Sequence, residues 1–556
     1  MLLCQCKQAS VQVEPIYEIQ RSAYYDTAAI SGPHPLATEA AQEILETGGN
    51  AIDAAVAMQL AMAVCYPRAG NLGGGGFMIY RPADGEVRAL DFREQAPLAA
   101  HRDMYLDSTG AVVPGRSRLG HLAVGVPGTV AGMQAMYKEY GSMPWRDLFA
   151  PALRLARAGY RLSQAEAGRL NHYQDDIAAF NDAGAFVGET FIAGQTLVQA
   201  ELEQTLLRLR DTGGDDFYTG ETAQLIVDEM VSAGGVITLD DLSSYRPLWR
   251  EPITVDYRGH RIFSMPPSSS GGIALAQMLT MLEVYDLTAY PTGSVAQVHL
   301  LAELMRRAYA DRAEYLGDAD HYPVPVTDLL DPDYLQSRMA DFDTKEASSS
   351  DTLVAGSAVG LESYETTHIS IVDKMGNAVS LTTTLNGNYG SKVVVDGAGF
   401  FLNNEMDDFS AKPGVPNLYG LVGAEANAIA PRKRMLSSMT PTIVERGDDL
   451  LLVLGAPGGS TIITAVLQTM INVIDYGMPI DSAIVAARVH HQWLPDEIVY
   501  EQGGLTTEVV AQLEAMGHTT RAVDRMAVVK AVMVLADGRL HAAADKRNPD
   551  DDVAGN

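Results

Sequence analysis

The sequence predicts a mixed α/β protein, and three patterns carry that reading. Residues 36–65 are rich in Ala, Leu and Met around a Gly48-Gly49-Asn50 break, the mark of two helices joined by a tight turn. Residues 366–372 and 378–385 are apolar, β-branched runs on either side of Asp373-Lys374-Met375-Gly376-Asn377, the clearest hairpin in the chain. Residues 450–454 form a short apolar strand that enters Gly455-Ala456-Pro457-Gly458-Gly459-Ser460, followed by an apolar helical run over 461–474. A strand, glycine turn and helix in that order present free backbone N–H groups at the helix start.

The remaining elements follow in chain order. Met1-Leu2-Leu3-Cys4-Gln5-Cys6-Lys7 lacks the apolar core of a signal peptide, so no complete signal is visible and residues 1 to about 25 read as an N-terminal tail. After the second helix, Gly70-Asn71-Leu72-Gly73-Gly74-Gly75-Gly76 precedes a strand at 77–80. Four glycines suit either a phosphate cradle or a close approach of two backbones, and the second is favoured because the chain has no Gly-Lys dipeptide. A turn at Ala83-Asp84-Gly85 leads to a strand at 88–92 that ends in Arg93-Glu94. Residues 125–340 read as mainly helical with acidic surfaces, for example at 199–210 and 295–315, and the serine-rich stretch 266–272 reads as a structural loop. At 345–365 apolar periodicity gives way to Ser, Ala, Gly and acidic residues, as in a flexible segment.

Composition narrows the function. The chain has 556 residues, 47% hydrophobic and 20% charged, which is globular, and its length suits either about three to five domains or one large layered body. Lys and Arg total 40 against 70 Asp and Glu, a formal net charge of −30 that disfavours nucleic acid and anionic lipid as partners. Cys4, Cys6 and Cys65 are too few for a disulfide framework or a four-cysteine zinc site. No apolar run is long enough for a membrane span, which needs about 18 residues. Zinc-protease signatures and a Ser-His-Asp order are absent, and adjacent His490 and His491 point in different directions on any regular element, so both read as structural.

A threonine hydroxyl becomes a competent nucleophile when its own α-amino group, with an ordinary pKa of about 7.7–8.0, acts as general base. That requires a threonine at an N-terminus, and a flexible segment ending in Glu365 directly before Thr366 is where an internal cut would create one. The hairpin adds a second threonine. If Lys374, Met375 and Gly376 form a three-residue loop closed by Asp373 and Asn377, the register places Thr366 opposite Thr384, with Cβ atoms about 4.5–5.5 Å apart.

Taken together, residues 70–77, Asp91-Phe92-Arg93-Glu94, Thr366-Thr367-His368, Thr384-Leu385-Asn386, 403–410, 431–442, Pro457-Gly458-Gly459-Ser460 and 490–495 resemble the γ-glutamyltranspeptidase, or glutathione hydrolase, family from about Ile30 to the C-terminus. The resemblance implies the α-β-β-α layered fold of the N-terminal-nucleophile hydrolases. It also implies a precursor that cuts itself between Glu365 and Thr366 into a large subunit, 1–365, and a small subunit, 366–556, which form one intertwined body. Thr366 would be the nucleophile, assisted by Thr384. Arg93, Ser437 and Ser438 would hold the α-carboxylate of a γ-glutamyl donor, and Asp408, Asn386 and Glu405 its ammonium. Gly458 and Gly459 would form the oxyanion hole, and Tyr419 would belong to a lid loop at 416–421. The implied substrates are glutathione and related γ-glutamyl compounds, with water or an amino acid or peptide amine as acceptor. No metal or organic cofactor is implied, and the compartment would be the periplasm or the exterior. The rivals are a glutaryl or β-lactam side-chain acylase of the same superfamily and, more remotely, a non-catalytic nucleotide-binding protein.

Overall fold

The structure, a computed structural model, describes residues 16–188, 190–350, 366–418 and 420–556. Its centre is two seven-stranded sheets whose strands pair antiparallel throughout. One sheet runs Asp552–Gly555, Ala29–Gly32, Thr367–Val372, Ala378–Thr384, Gly75–Arg81, Arg88–Phe92, Leu248–Arg250. The other runs Ser22–Tyr25, Leu540–Ala544, Lys530–Val534, Asp449–Gly455, Thr442–Arg446, His260–Ser264, Ile253–Tyr257.

Strand periodicity divides the first sheet between two cores. Met78, Tyr80, Ile369 and Ile371 join the core under helices Pro35–Glu46 and Ala51–Cys65, whereas Phe77, Ile79 and Val372 join Ile443, Leu452 and Val532 of the second sheet. Helices Gly271–Leu282, Val295–Tyr315 and Thr461–Ile474 cover the far side of the second sheet. The layers are therefore helix, sheet, sheet, helix, as the resemblance implies. Helix Ala51–Cys65 is apolar all round and every one of its residues is buried; Asn50 and Asp53 close its first turn with a reciprocal capping box.

The predicted hairpin is present in the predicted register. Thr367 pairs with Thr383 and so on to Val372 with Ala378, and the loop is closed by Asp373 N–H to Asn377 O at 3.0 Å, with Gly376 at φ +85°. The glycine run beside it is a close approach of backbones, as read from the sequence. A Cβ on Gly74 would lie 2.0 Å from Thr384 O, and one on Gly76 2.3 Å from Thr382 O.

Several expectations need correction. The region 125–340 is mainly helical, as expected, but Leu248–Arg250, Ile253–Tyr257 and His260–Ser264 are strands. Arg258 at φ +50° and Gly259 at φ +75° turn the last two into a hairpin. Helix Val295–Tyr315 is not an acidic surface helix: Arg306, Arg307 and Arg312 on it are all buried. The N-terminal tail is shorter than 1–25, since Ser22–Tyr25 pairs with Leu540–Ala544; residues 1–15 lie outside the described residues. Of the segment read as flexible, 351–365 lies outside the described residues, but Ser350 is buried, its carbonyl accepting from Trp493 Nε1 at 3.2 Å. Among the described residues, no helix is long and apolar enough to cross a membrane.

Candidate active site

The pocket forms where strand ends from both sides of position 365 converge. Thr366 stands at the start of the central strand Thr367–Val372, and Thr384 ends its partner. The Thr366 hydroxyl donates to Thr384 Oγ1 at 3.4 Å, so the register argument places these side chains correctly. Asn386 turns the chain out of the strand at φ +73°, a conformation that asparagine tolerates, and its N–H donates to Thr384 Oγ1 at 2.7 Å.

Arg93 follows strand Arg88–Phe92, and Glu405 and Asp408 sit on one 3-10 turn, Glu405–Asp408. These three line the same pocket as Thr366 and Thr384, together with Asn386, Ser437, Ser438 and Gly459. Gly458 lies one residue behind the lining. Glu365 and Tyr419 lie outside the described residues; of the residues near Tyr419, Leu421 lines the pocket and Asn417 Nδ2 donates to Asp408 Oδ1 at 3.4 Å.

The electrostatics are dominated by the Arg93 guanidinium among three buried carboxyls. Arg93 Nη2 is 2.5 Å from Asp408 Oδ2, and Nη1 is 2.7 Å from Glu405 Oε2 and 3.5 Å from Glu94 Oε2. Burial pushes all three carboxyls up, Glu94 to about 8 and Glu405 well above the ordinary range, against the pull of Arg93. Three buried carboxyls thus face one guanidinium at hydrogen-bond range, and burial favours their neutral forms.

Gly458, at φ +147°, and Gly459, at φ +56°, lead into helix Thr461–Ile474. A Cβ on Gly458 would lie 2.7 Å from Ala527, and neither N–H donates to a backbone acceptor among the described residues. Backbone N–H groups at a helix start are donors suited to an anion. The serine loop is structural, as expected, and its task is now visible. Ser268, Ser269 and Ser270 are fully buried; Ser270 donates from both N–H (2.8 Å) and Oγ (2.7 Å) to Ser437 O, and Ser269 Oγ donates to Met439 O at 2.7 Å.

Sequence reasoning did not single out two groups at the site, Glu94 buried beside Arg93 and Arg312 in the pocket lining. The Glu94 carboxylate packs directly on Gly75, where a Cβ would lie 2.6 Å from Phe92 O and 2.7 Å from Glu94 Oε2. Arg312 sits on the helix read as surface-exposed, and no spacing signal marks it. His490 and His491 do have separate partners: His490 Nδ1 hydrogen-bonds with Thr464 Oγ1 at 2.9 Å, and His491 Nε2 with Asp496 Oδ1 at 3.1 Å. Among the described residues, His299, Glu303 and His518 are close enough together to hold a metal ion. Glu303 is already engaged by Arg306 and Arg307, two guanidiniums that would repel a cation.

The profile of the gamma-glutamyltranspeptidase family matches residues 37–555. The glutathione hydrolase proenzyme of Escherichia coli (strain K12) is 44% identical over 561 residues, covering 99% of this chain and 97% of that protein. Among solved structures, a cephalosporin acylase from Bacillus halodurans superposes with a TM-score of 0.84 at 25% identity, covering 98% of both chains. Helicobacter pylori gamma-glutamyltranspeptidase superposes with a TM-score of 0.56 at 42% identity, covering 60% of this chain and 94% of that one. With a profile match across nearly the whole sequence and a full-length relative at this identity, the chain belongs to the gamma-glutamyltranspeptidase family.

Proposed function

We propose that the protein is a self-processing γ-glutamyl hydrolase and transferase. The precursor cuts itself between Glu365 and Thr366, and residues 1–365 and 366–556 stay together as large and small subunit. The new α-amine of Thr366 takes the proton from its own hydroxyl, and Oγ1 attacks the γ-amide carbonyl of glutathione or a related donor. The N–H groups of Gly458 and Gly459 receive the oxyanion, the amine leaves with a proton, and a γ-glutamyl ester of Thr366 remains. Water, or the amine of an amino acid or peptide, then takes the acyl group. Family membership also makes the periplasm or the exterior the proposed location.

The single observation that carries this reading is the juxtaposition in one pocket of the Thr366–Thr384 pair with Arg93 and Asp408. A γ-glutamyl group bears an α-carboxylate and an α-ammonium on one carbon. Inserted between Arg93 and Asp408, it replaces one internal ion pair by two, carboxylate to Arg93, Ser437 and Ser438, and ammonium to Asp408, Asn386 and Glu405. Substitution Thr366→Ala tests it: a denaturing gel should show one uncut chain, and γ-glutamyl anilide should not be hydrolysed. Two chains in that variant would overturn the proposal.

The likeness to a cephalosporin acylase favours one second reading, an acylase for glutaryl amides, which lack the α-ammonium. The carboxylates around Arg93 weigh against it, because a glutaryl group would leave Asp408 and Glu405 without a cation of the substrate. Comparable kcat/KM for glutaryl and γ-glutamyl amides would establish the acylase.

A further inference from the structure

Arg93 and Arg312 are the two guanidiniums of the pocket, and they are placed in opposite ways. Arg93 is surrounded by carboxylates. Arg312 is 5% exposed, and its bonds go to neutral hydroxyls: Nε donates to Ser270 Oγ at 3.0 Å and Nη2 to Ser438 Oγ at 3.2 Å. No carboxylate among the described residues pairs with it; Asp408 acts on it only at longer range. A buried guanidinium without a counter-ion is costly unless a ligand supplies one.

The hydroxyls show where that ligand stands. A serine hydroxyl has one proton to donate, and when its oxygen accepts from a guanidinium the proton turns to another partner. Ser270 obeys this rule within the protein, since its Oγ accepts from Arg312 and donates to Ser437 O. Ser438 Oγ accepts from Arg312 in the same way, yet its own proton finds no acceptor among the described residues, and Ser438 lines the pocket.

We propose that Arg312 is a positioning residue for the donor's α-carboxylate: it fixes the Ser438 hydroxyl as a donor toward that carboxylate and supplies the uncompensated positive charge that makes the pocket select an anion there. This rests on the γ-glutamyl reading above. Arg93, held among its own carboxylates, gives the carboxylate its direct contact, and Arg312 adds a second positive charge behind the Ser438 hydroxyl.

The test compares γ-glutamyl anilide with its α-carboxamide analogue in the wild type, Arg312→Gln, Arg312→Lys, Ser438→Ala and the Arg312→Lys/Ser438→Ala double variant, with self-cleavage on a gel as the check of folding. Arg312→Gln should raise KM for the carboxylate donor about 10- to 100-fold, as for loss of a hydrogen bond to a charged group, with kcat within about threefold and no change for the carboxamide. In the Ser438→Ala background, Arg312→Lys should cost far less than it does alone, because the hydroxyl through which it acts is gone. Equal losses on both substrates, or additive losses in the double variant, would show Arg312 to be scaffolding and overturn the inference. If Arg312→Gln does not fold, the Lys and Ala cycle decides by itself. A wild type indifferent to the α-carboxylate would overturn the γ-glutamyl reading and this inference with it, whereas a wild type and an Arg312→Gln variant that discriminate equally would overturn this inference alone.

Discussion

The molecule buries two charge clusters of similar composition, one around Arg93 in the pocket and one around Glu303 on helix Val295–Tyr315. In the second, every charge is answered from within. Glu303 lies 2.5 Å from Arg307 Nη1 and 3.4 Å from Arg306 Nε and accepts from Ser348 N at 3.1 Å; Arg306 Nη1 continues to Ser350 Oγ at 2.6 Å and Arg307 Nη2 to Asp341 at 2.7 Å. The two guanidiniums and the Ser348 bond outweigh burial and hold the Glu303 carboxyl down at about 2. In the pocket, carboxyls outnumber their guanidinium and are pushed up, while Arg312 has no counter-ion among the described residues. Burial of charge is common to both clusters and marks neither as functional. What separates them is the charge left for an outside ion to complete.

Exchanging the two roles would break this comparison. The largest effect is expected from Arg93→Lys, which loses the planar fork and should lower kcat/KM for γ-glutamyl donors about 10³-fold, roughly 4 kcal/mol, while thermal unfolding of the protein changes little. Next, Glu303→Gln leaves Arg306 and Arg307 without their carboxylate and should cost about 3 kcal/mol of stability in denaturant titration, with kcat/KM of the folded enzyme within about twofold. An Arg93→Lys variant that unfolds early, or a Glu303→Gln variant that loses turnover but not stability, would erase the distinction.

A smaller effect sharpens it at the proposed nucleophile. Thr384→Ala should slow both self-cleavage and turnover by about 10-fold in stopped time courses, yet alter stability by only about 0.5–1.5 kcal/mol, since it removes hydroxyl bonds that serve the site. Most specific are two pH slopes of opposite sign. Glu94, raised from 4.5 to about 8, stabilises the fold below about pH 4.5 and loses that contribution as pH rises through 8. Glu303, lowered from 4.5 to about 2, stabilises above about pH 4.5 and loses its contribution as pH falls through 2. Unfolding free energies measured across pH should flatten on the alkaline side in Glu94→Gln and on the acid side in Glu303→Gln.

Local patterns carried much of this architecture. The loop between Asp373 and Asn377 fixed a register that brought Thr366 to Thr384, because strand pairing propagates a turn's geometry without further information. The four glycines were legible for a similar reason: a missing Cβ at consecutive positions implies a neighbouring backbone. Arg312 was not legible. Its burial depends on the serine loop near Ser270 and the chain around Ser438, far from it in sequence, and a charged residue on an otherwise ordinary helix resembles a solvated one. Ser350 was misread likewise, because serine-rich composition reports low apolar content and says nothing of Arg306 or Trp493 waiting to receive it. The hairpin at Ile253–Tyr257 and His260–Ser264 did leave a signal, the alternation of Ile253, Val255 and Tyr257 before Arg258-Gly259, which a helical reading of the region obscured.

The strand Thr367–Val372 lies in the interior of its sheet, between Ala29–Gly32 and Ala378–Thr384. The proposed cut just before it would follow assembly of the sheet, since pairing is what brings Thr366 to Thr384. Chain connectivity would then be a tool used once: it makes the encounter of these strands intramolecular and would be discarded afterwards. Should the two pieces part on heating, they would meet again only by a concentration-dependent collision of unpaired edges, a route open to aggregation. An equilibrium unfolding constant therefore suits the precursor, and a half-life suits the processed protein.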